Sequence, residues 1–195
     1  MNIKSADMQV FEILENYEAT QGRTNKLNLL KSYKDHQPLK YVLKFNFCDT
    51  IKSLIPEGRP PFNEEHDDGP SRASLWQYMN VFPTFVVSPR SENIKPLQRE
   101  KIFIEMLEAI AVEEANMIIL AKDKTLVSLY PSLDISIVIE AFPDMMITTN
   151  KPIVEPTKEE KAIDIMEVIK EKKSIVTTLQ SEIKVLTKEA KSLSE

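Results

Sequence analysis

LQREKIFIEMLEAI, residues 97–110, is the stretch that decides the fold class of this 195-residue sequence. Its apolar side chains recur three and four residues apart, which places them on one face of a helix. This face consists of Ile102, Phe103, Met106, Leu107 and Ile110. Arg99, Glu105 and Glu108 are expected on the opposite, solvent-facing side. Because residues 112–121 are predicted to form a second helix, the centre of the sequence indicates a mainly helical protein.

The sequence before this stretch predicts three shorter helices. Residues 8–18 form the first, and Gly22 fits its C-terminal stop. Thr24 can cap a second helix over 25–33. Pro38 suits the first turn of a third, because proline lacks the N–H that would be unpaired there. The inward-facing residues of that third helix are expected to be Leu39, Val42, Leu43 and Phe47.

Residues 133–142, LDISIVIEAF, are predicted to form the last helix of the globular part. Ser132 can cap this helix, and Pro143 ends it. Its inward face follows helical spacing and consists of Ile135, Val138, Ile139 and Phe142. We therefore predict a mainly α fold, a compact helical bundle over residues 1–148 with little or no sheet.

The C-terminal segment repeats in heptads. Residues 149–157 are predicted to be a linker, and 158–195 a coiled-coil helix. β-Branched residues at position a with leucine at d favour a parallel dimer, whereas Val168 and Ile175 at position g widen the stripe and favour more strands. The residues expected to mediate self-association are Ile165, Ile169, Val176, Leu179, Ile183, Leu186 and Leu193. The alternative is that this stripe folds back as one more core-facing helix of the bundle.

Glycine, histidine and cysteine are scarce, which excludes several classes of site. Three glycines are too few for the Gly-rich phosphate loop of a nucleotide-binding fold. Two histidines and one cysteine cannot supply the four ligands of a Cys/His zinc site. Cys48 has no partner for an intrachain disulfide, which favours a reducing compartment. We predict no catalytic residue, no metal site and no cofactor.

The sequence also lacks the apolar stretches that membranes require. No window reaches 18 apolar residues, and the first ten residues carry charge instead of the apolar core of a signal peptide. We therefore expect no membrane partner.

Residues 23–59 carry a local excess of positive charge. They hold eight Lys or Arg and three Asp or Glu, whereas the whole chain has a net charge of −5. Lysines on helix faces can bind phosphates without reading sequence. The candidate nucleic-acid-binding residues are Lys26, Lys31, Lys34, Lys40, Lys44, Lys52 and Arg59. The alternative is an ordinary solvated helix surface.

Residues 73–89 form the most aromatic zone of the sequence. Exposed aromatic residues are candidates for a partner-binding groove or for stacking on unpaired bases, and otherwise belong to the core. The candidates are Trp76, Tyr78, Phe82 and Phe85.

Residues 56–72, PEGRPPFNEEHDDGPSR, are predicted to be a proline-rich acidic loop. Its acidic part would offer oxygen ligands to Mg²⁺ or Ca²⁺, but consecutive acids point in different directions and their spacing matches no calcium loop. A solvated loop is the interpretation we favour for Glu64, Glu65, His66, Asp67 and Asp68. His36, close before Pro38, is interpreted as a turn residue, and Cys48 as a buried thiol.

Several motifs of residues 9–144 resemble an uncharacterised family of small proteins from T4-like tailed phages. The resemblance rests on paired leucines before a basic helix, the P-x-G-x-P-P-F loop at 56–62, the Q-R-E helix from 98, the K-D-K exit at 122–124 and E-A-F-P at 140–143. It implies a phage origin and expression in a bacterial host, and it implies no activity.

The N-terminal helices are also similar to the DNA-binding region of T4-type ATP-dependent DNA ligases. The similarity lies in the order I-L, L-L-K, L-K-x-V-L and I-K-x-L-I-P between residues 13 and 56. The nucleotidylation signature of those enzymes, Lys-x-Asp-Gly, is absent. The similarity therefore implies at most a shared DNA-contacting module.

Two functional hypotheses follow from these observations. The first is a non-enzymatic phage interaction or assembly protein that self-associates through its C-terminal helix and binds a phage or host protein, in the host cytoplasm or as a virion component. The alternative is a DNA-binding accessory protein of phage replication, repair or transcription that places its basic N-terminal helices on phosphates.

Overall fold

The computed structural model describes residues 8–63, 73–145, 165–166, 169–170 and 172–184. Six α-helices lie in the first two of these ranges: α1 (Val10–Ala19), α2 (Arg23–Ser32), α3 (Gln37–Phe47), α4 (Pro96–Ala109), α5 (Val112–Lys122) and α6 (Ile135–Ala141). Four short 3₁₀ helices accompany them: Leu75–Tyr78, Phe82–Thr84, Leu126–Ser128 and Pro143–Met145. In this part of the chain the only β pairing is an isolated antiparallel bridge between Ser53 and Val86. The predicted mainly α fold is confirmed.

Helix α5 occupies the centre of the bundle. It packs against α1, α3 and α4, and two residues join it to α4. Seven of its 11 residues are buried: Glu114, Ala115, Met117, Ile118, Ile119, Ala121 and Lys122. They occupy more than half of the helix circumference, and Glu113 lies exposed on the remaining face. So broad a buried face needs neighbours on more than one side to cover it. Helices α2 and α6 form a second packed pair beside this centre.

The helix starts follow local capping chemistry, with three corrections to the sequence-based prediction. Gly22 does not end α1 and Thr24 does not cap α2. Gly22 stands at the N-cap of α2 with φ 78°, a conformation that favours glycine, and Thr24 lies inside the helix. Asp134, not Ser132, caps α6 by accepting a hydrogen bond from the Ser136 N–H. Ser132 instead donates its N–H and its hydroxyl to the Glu18 carboxylate, which ties the chain before α6 to α1.

The buried face of α6 also differs from the prediction. Ile135 and Ile139 are half-buried, whereas Ile137 and Ala141 lie in the core together with Val138 and Phe142. All residues of this short helix except Ser136 and Glu140 are apolar, so spacing alone did not select the face. Packing against α2 and the neighbouring turns did.

The C-terminal segment is helical where the structure describes it, including the continuous range 172–184. The predicted linker 149–157 and the acidic residues 64–68 lie outside the described residues, as do Leu186 and Leu193. No helix among the described residues is long and apolar enough to cross a membrane.

Glu114 is a carboxylic acid buried in the first turn of α5. It is 1% exposed, and its Oε1 accepts a hydrogen bond of 3.1 Å from the N–H of Val10, the first residue of α1. Burial raises the pKa of Glu114 to about 7, although the N–H groups of Val10 and Leu75 oppose that rise. Glu114 therefore links α5 to the N-terminus of α1, and burying it destabilises the fold more when its carboxylate is ionised.

We expect Glu114→Gln to remove a pH-dependent loss of stability. Between its ordinary pKa of 4.5 and about 7, the folded state binds more protons than the unfolded state, so stability falls as pH rises through this window. The full loss is about 3 kcal/mol. Urea unfolding at pH 5 and pH 8 should show that the wild type loses more stability than Glu114→Gln. The neighbouring exposed substitution Glu113→Gln is the control, and an equal pH dependence in all three proteins would contradict this account.

Candidate interaction surfaces

A groove of about 330 Å³ runs along the outer side of α3. Its floor is one face of that helix, at positions spaced three and four residues apart: Gln37, Lys40, Tyr41 and Lys44. The 3₁₀ helix at 82–84 supplies one wall with Phe82 and Pro83, and the turn after α6 closes one end with Asp144 and Met145. The groove therefore combines ammonium groups with an apolar and aromatic lining.

The charge of this groove is partly balanced from within the chain. Lys40 Nζ lies 2.7 Å from Asp144 Oδ2, and this hydrogen bond holds the pKa of Asp144 below its usual range. The same ammonium lies 5.7 Å from the centre of the Phe142 ring. Lys44, one turn along the helix, is half-buried in the same groove. An anionic group entering the groove would meet Lys44 directly and would compete with Asp144 for Lys40.

The other candidate nucleic-acid-binding residues do not gather around this groove. Lys26 stacks on the Tyr17 ring at 5.0 Å. Arg59 lies over the Phe62 ring at 5.0 Å and donates a 2.7 Å hydrogen bond to Asn116. Three further candidates are exposed: Lys31, Lys34 and Lys52. Of the seven cations, the structure thus places Lys40 and Lys44 in one groove and binds Lys26 and Arg59 to other side chains.

The aromatic zone divides between core and surface. Phe85 is fully buried against Phe103, with ring centres 5.1 Å apart, and so is unavailable to a partner in the folded protein. Phe82 is also buried, although its edge reaches the groove. Trp76 is 40% exposed and Tyr78 is half-buried. The alternative that the aromatic residues of this zone belong to the core is therefore correct for Phe85.

Tyr41 is the groove residue that the sequence analysis missed. It is exposed, and its ring lies 5.8 Å from that of Phe82. The sequence feature that indicates Tyr41 is its position on a helix face, one residue after Lys40 and three before Lys44. A search for aromatic residues between lysines at helical spacing would have found it.

Two single residues occupy structural positions. His36 immediately precedes α3, and its Nδ1 accepts a hydrogen bond from the Leu39 N–H, so the ring is the N-cap of that helix. Cys48 is buried at the end of α3, with its Sγ 3.1 Å from Thr50 Oγ1. Within the described ranges, no group of three or more His, Cys, Asp or Glu residues is placed to hold a metal ion.

The C-terminal helix presents a stripe of exposed apolar side chains, which we call the tail stripe. Its described members Ile165, Ile169, Val176 and Leu179 are between 46% and 55% exposed, and Ile183 is 62% exposed. These positions alternate three and four residues apart along most of the segment, the spacing of a coiled-coil seam.

The K-D-K and P-x-G motifs of the resemblance meet in space and are structural. Lys122 Nζ, fully buried, donates to the carbonyl of Pro56 at 2.8 Å and to Asp123 Oδ1 at 2.6 Å. Asp123 Oδ2 in turn accepts a 3.0 Å hydrogen bond from the N–H of Gly58. The end of α5 therefore holds the proline-rich loop against the bundle.

Lys124 makes a similar connection to the end of α3. Its backbone turns with φ 60°, and its ammonium donates to the carbonyls of Phe45 and Cys48 at 2.8 and 2.7 Å. Burial lowers the pKa of Lys124. A cation is favoured here because the last carbonyls of a helix carry partial negative charge.

Arg99, expected on the solvent side of α4, is buried instead. Its guanidinium donates to three backbone carbonyls, those of Thr84, Ser91 and Ile94, at 2.8, 2.9 and 3.0 Å. The prediction was wrong because the connection 84–94 folds back over this face of α4 and its carbonyls need donors. The Q-R-E motif thus organises a loop.

We expect Arg99→Met to lower the free energy of unfolding by about 3 kcal/mol, because three carbonyls lose a charged donor. Arg90→Met is the control, since Arg90 is exposed and donates to one carbonyl, that of Asn80. Its expected effect is below about 0.5 kcal/mol. Chemical denaturation measures both, and equal effects would contradict the assigned role of Arg99.

Comparison with known proteins gives a family and no function. No curated protein and no solved structure matches the chain. Residues 13–128, which span the bundle from α1 to the 3₁₀ helix after α5, match a family of unknown function designated DUF6433. The matched range contains Lys40 and Lys44 on α3 and the structural cations Arg99, Lys122 and Lys124. The groove residues Asp144 and Met145 and the tail stripe lie beyond it. The chain belongs to the DUF6433 family.

Proposed function

We propose that this protein is a non-enzymatic interaction protein that self-associates through the tail stripe and binds a protein partner with its helical bundle. The observation that carries the proposal is the exposure of the apolar residues Ile165, Ile169, Val176 and Leu179 at coiled-coil spacing. Removing apolar surface from water is favourable by roughly 25 cal/mol per Å². Binding of a matching helix that covers these side chains is therefore favoured. A second copy of the same helix supplies that match.

The α3 groove is the proposed place for the partner. Its two lysines and apolar walls suit an acidic peptide that carries an apolar or aromatic side chain. The carboxylate of Asp144 already sits on Lys40 and serves as an internal example of the group that would bind there. Its volume, about 330 Å³, is near the lower end of the range of roughly 300–1,000 Å³ for ligand pockets, so one or two side chains would fill it.

The non-enzymatic character of the proposal is supported by what the motif residues do. Arg99, Lys122 and Lys124 donate to backbone carbonyls and are occupied in holding the fold. The resemblance of residues 9–144 to a family from T4-like phages supports a phage origin. Action in the host cytoplasm or as a virion component follows from that origin as part of the same proposal.

A DNA-binding accessory role is the second candidate, and one observation favours it. Lys40 and Lys44 flank the exposed Tyr41, which is an arrangement that suits a phosphate and a stacked base. The similarity of the N-terminal helices to the DNA-binding region of T4-type ligases supports the same role. Lys31, Lys34 and Lys52 would add electrostatic contacts from exposed positions.

We expect the double substitution Val176→Lys with Leu179→Lys to convert an oligomer into a monomer, because charges at the seam of a coiled coil disfavour association. Multi-angle light scattering of the full chain measures this directly. Thr177→Lys with Ser181→Lys is the matched control, since it adds the same charge outside the predicted seam. A wild-type chain that stays monomeric at high concentration would contradict self-association.

The DNA-binding candidate predicts that Lys31→Glu with Lys44→Glu weakens DNA binding at least tenfold and flattens its salt dependence. Fluorescence anisotropy with single-stranded and duplex oligonucleotides at several salt concentrations provides the measurement. Lys95→Glu with Lys101→Glu on α4 is the control of equal charge. Absence of binding by the wild type at low salt would rule out this candidate.

A further inference from the structure

A second, smaller cavity of about 150 Å³ lies where the start of α1, His36 and the start of α5 meet. Its volume is several times the roughly 30 Å³ share of one water molecule. Trp76 is among its lining residues and is 40% exposed. The cavity is separate from the α3 groove and shares no lining residue with it among the described residues.

Two buried oxygens that line this cavity, Glu114 Oε2 and Gln9 Oε1, accept no hydrogen bond of good geometry. The N–H of Leu75 lies near the Glu114 carboxylate and lowers its pKa, and the Gln9 side chain faces the N–H of Glu12 in the capping box of α1. Glu114 is only 1% exposed, and its other oxygen, Oε1, already accepts a hydrogen bond from the N–H of Val10. An unpaired acceptor buried in a protein interior is destabilising, and a ligand with N–H groups would remove that penalty.

His36 does not supply the missing donor. Its Nδ1 accepts from the Leu39 N–H and its Nε2 lies 3.0 Å from the carbonyl oxygen of Met8, so the neutral ring carries its proton on Nε2 and donates it to Met8. Burial lowers the pKa of His36 and keeps the ring neutral. Both ring nitrogens are therefore engaged in holding the chain.

The electrostatic field in the cavity favours a cation. Glu12 on α1 acts on Glu114 as a second negative charge, and the described lining contains no Lys or Arg. Trp76 adds an indole ring, whose face attracts cations. Its ring centre lies 5.1 Å from that of His36, which fixes it at the cavity.

We propose that this cavity binds a primary ammonium group on an unbranched aliphatic chain, with Glu114 and Gln9 accepting its N–H groups and Trp76 beside its methylenes. The group would come from a lysine side chain of a partner or from a small free amine. Guanidinium and quaternary ammonium groups fit less well, since the first needs more acceptors in one plane and the second has no N–H to donate.

Trp76 is the only tryptophan of the chain, so tryptophan fluorescence, excited selectively over the five tyrosines, reports on this cavity. The experiment titrates the full chain with n-butylammonium chloride at constant ionic strength. A saturable change is expected with n-butylammonium and none with tetramethylammonium or sodium. An identical response to all three cations, or no saturable response, would overturn the proposal.

Substitutions connect the response to the two oxygens. Glu114→Gln is expected to weaken n-butylammonium binding at least tenfold, and Gln9→Leu to weaken it by a smaller factor. Glu113→Gln, the adjacent residue outside the cavity, should bind like the wild type. Unchanged binding in Glu114→Gln, with its fold confirmed by circular dichroism, would overturn the assignment.

The pH dependence gives an independent readout. Binding requires ionised Glu114, whose pKa is about 7, so affinity should rise roughly tenfold between pH 6 and pH 8. The amine stays protonated over this range. The other titratable groups that face the cavity are Glu12 and His36, and burial lowers the pKa of His36. A flat profile would contradict a role for the Glu114 carboxylate.

A blocked tripeptide with one central lysine, compared with its ε-acetylated form, separates the two sources. If the lysine peptide binds saturably and its ε-acetylated form does not, the natural ligand is a lysine side chain of a partner. Binding of n-butylammonium without binding of the peptide indicates a small free amine. Both results support an ammonium site, and failure of both probes would overturn it.

Discussion

The deep burial of α5 is the constraint on which the rest of the structure depends. Seven of its 11 residues are buried, and they include Glu114 and Lys122 near its two ends, whose polar groups must find partners inside the protein. Glu114 in its first turn meets the N–H of Val10, and Lys122 in its last turn meets the carbonyl of Pro56. The positions of α1 and of the proline-rich loop are therefore set by the two ends of one helix.

The buried cations of this protein are satisfied largely by backbone carbonyls. Arg99 collects three carbonyls of the connection 84–94, and Lys124 collects two at the end of α3. Only Lys122 adds a carboxylate, that of its neighbour Asp123. Long irregular segments need donors for their carbonyls, and a cation on an adjacent helix supplies several at once. This explains why the charged residues of the Q-R-E and K-D-K motifs have structural roles in the fold.

Because these cations are engaged in holding the fold, the α3 groove, the small cavity and the tail stripe remain as the candidate binding surfaces. The matched family range covers most of α1 and the helices α2 to α5, whereas α6 and the tail stripe lie beyond it. In the proposed function, the bundle recognises the partner and the tail stripe mediates self-association. Several copies of a weak binding surface would then be held together, and their combined affinity would exceed that of one copy.

The sequence by itself determined the helical class, most helix positions and the heptad pattern of the tail, because these depend on the spacing of apolar residues along the chain. It placed Leu39, Val42 and Leu43 correctly in the core. It failed for Arg99 and for Ile135 and Ile139, whose burial depends on which segment covers each face. Only the tertiary structure brought Lys40 and Lys44 together with Asp144, and Glu114 together with Gln9. These groups are separated by about a hundred residues in the chain, and no local pattern encodes a contact that packing alone creates.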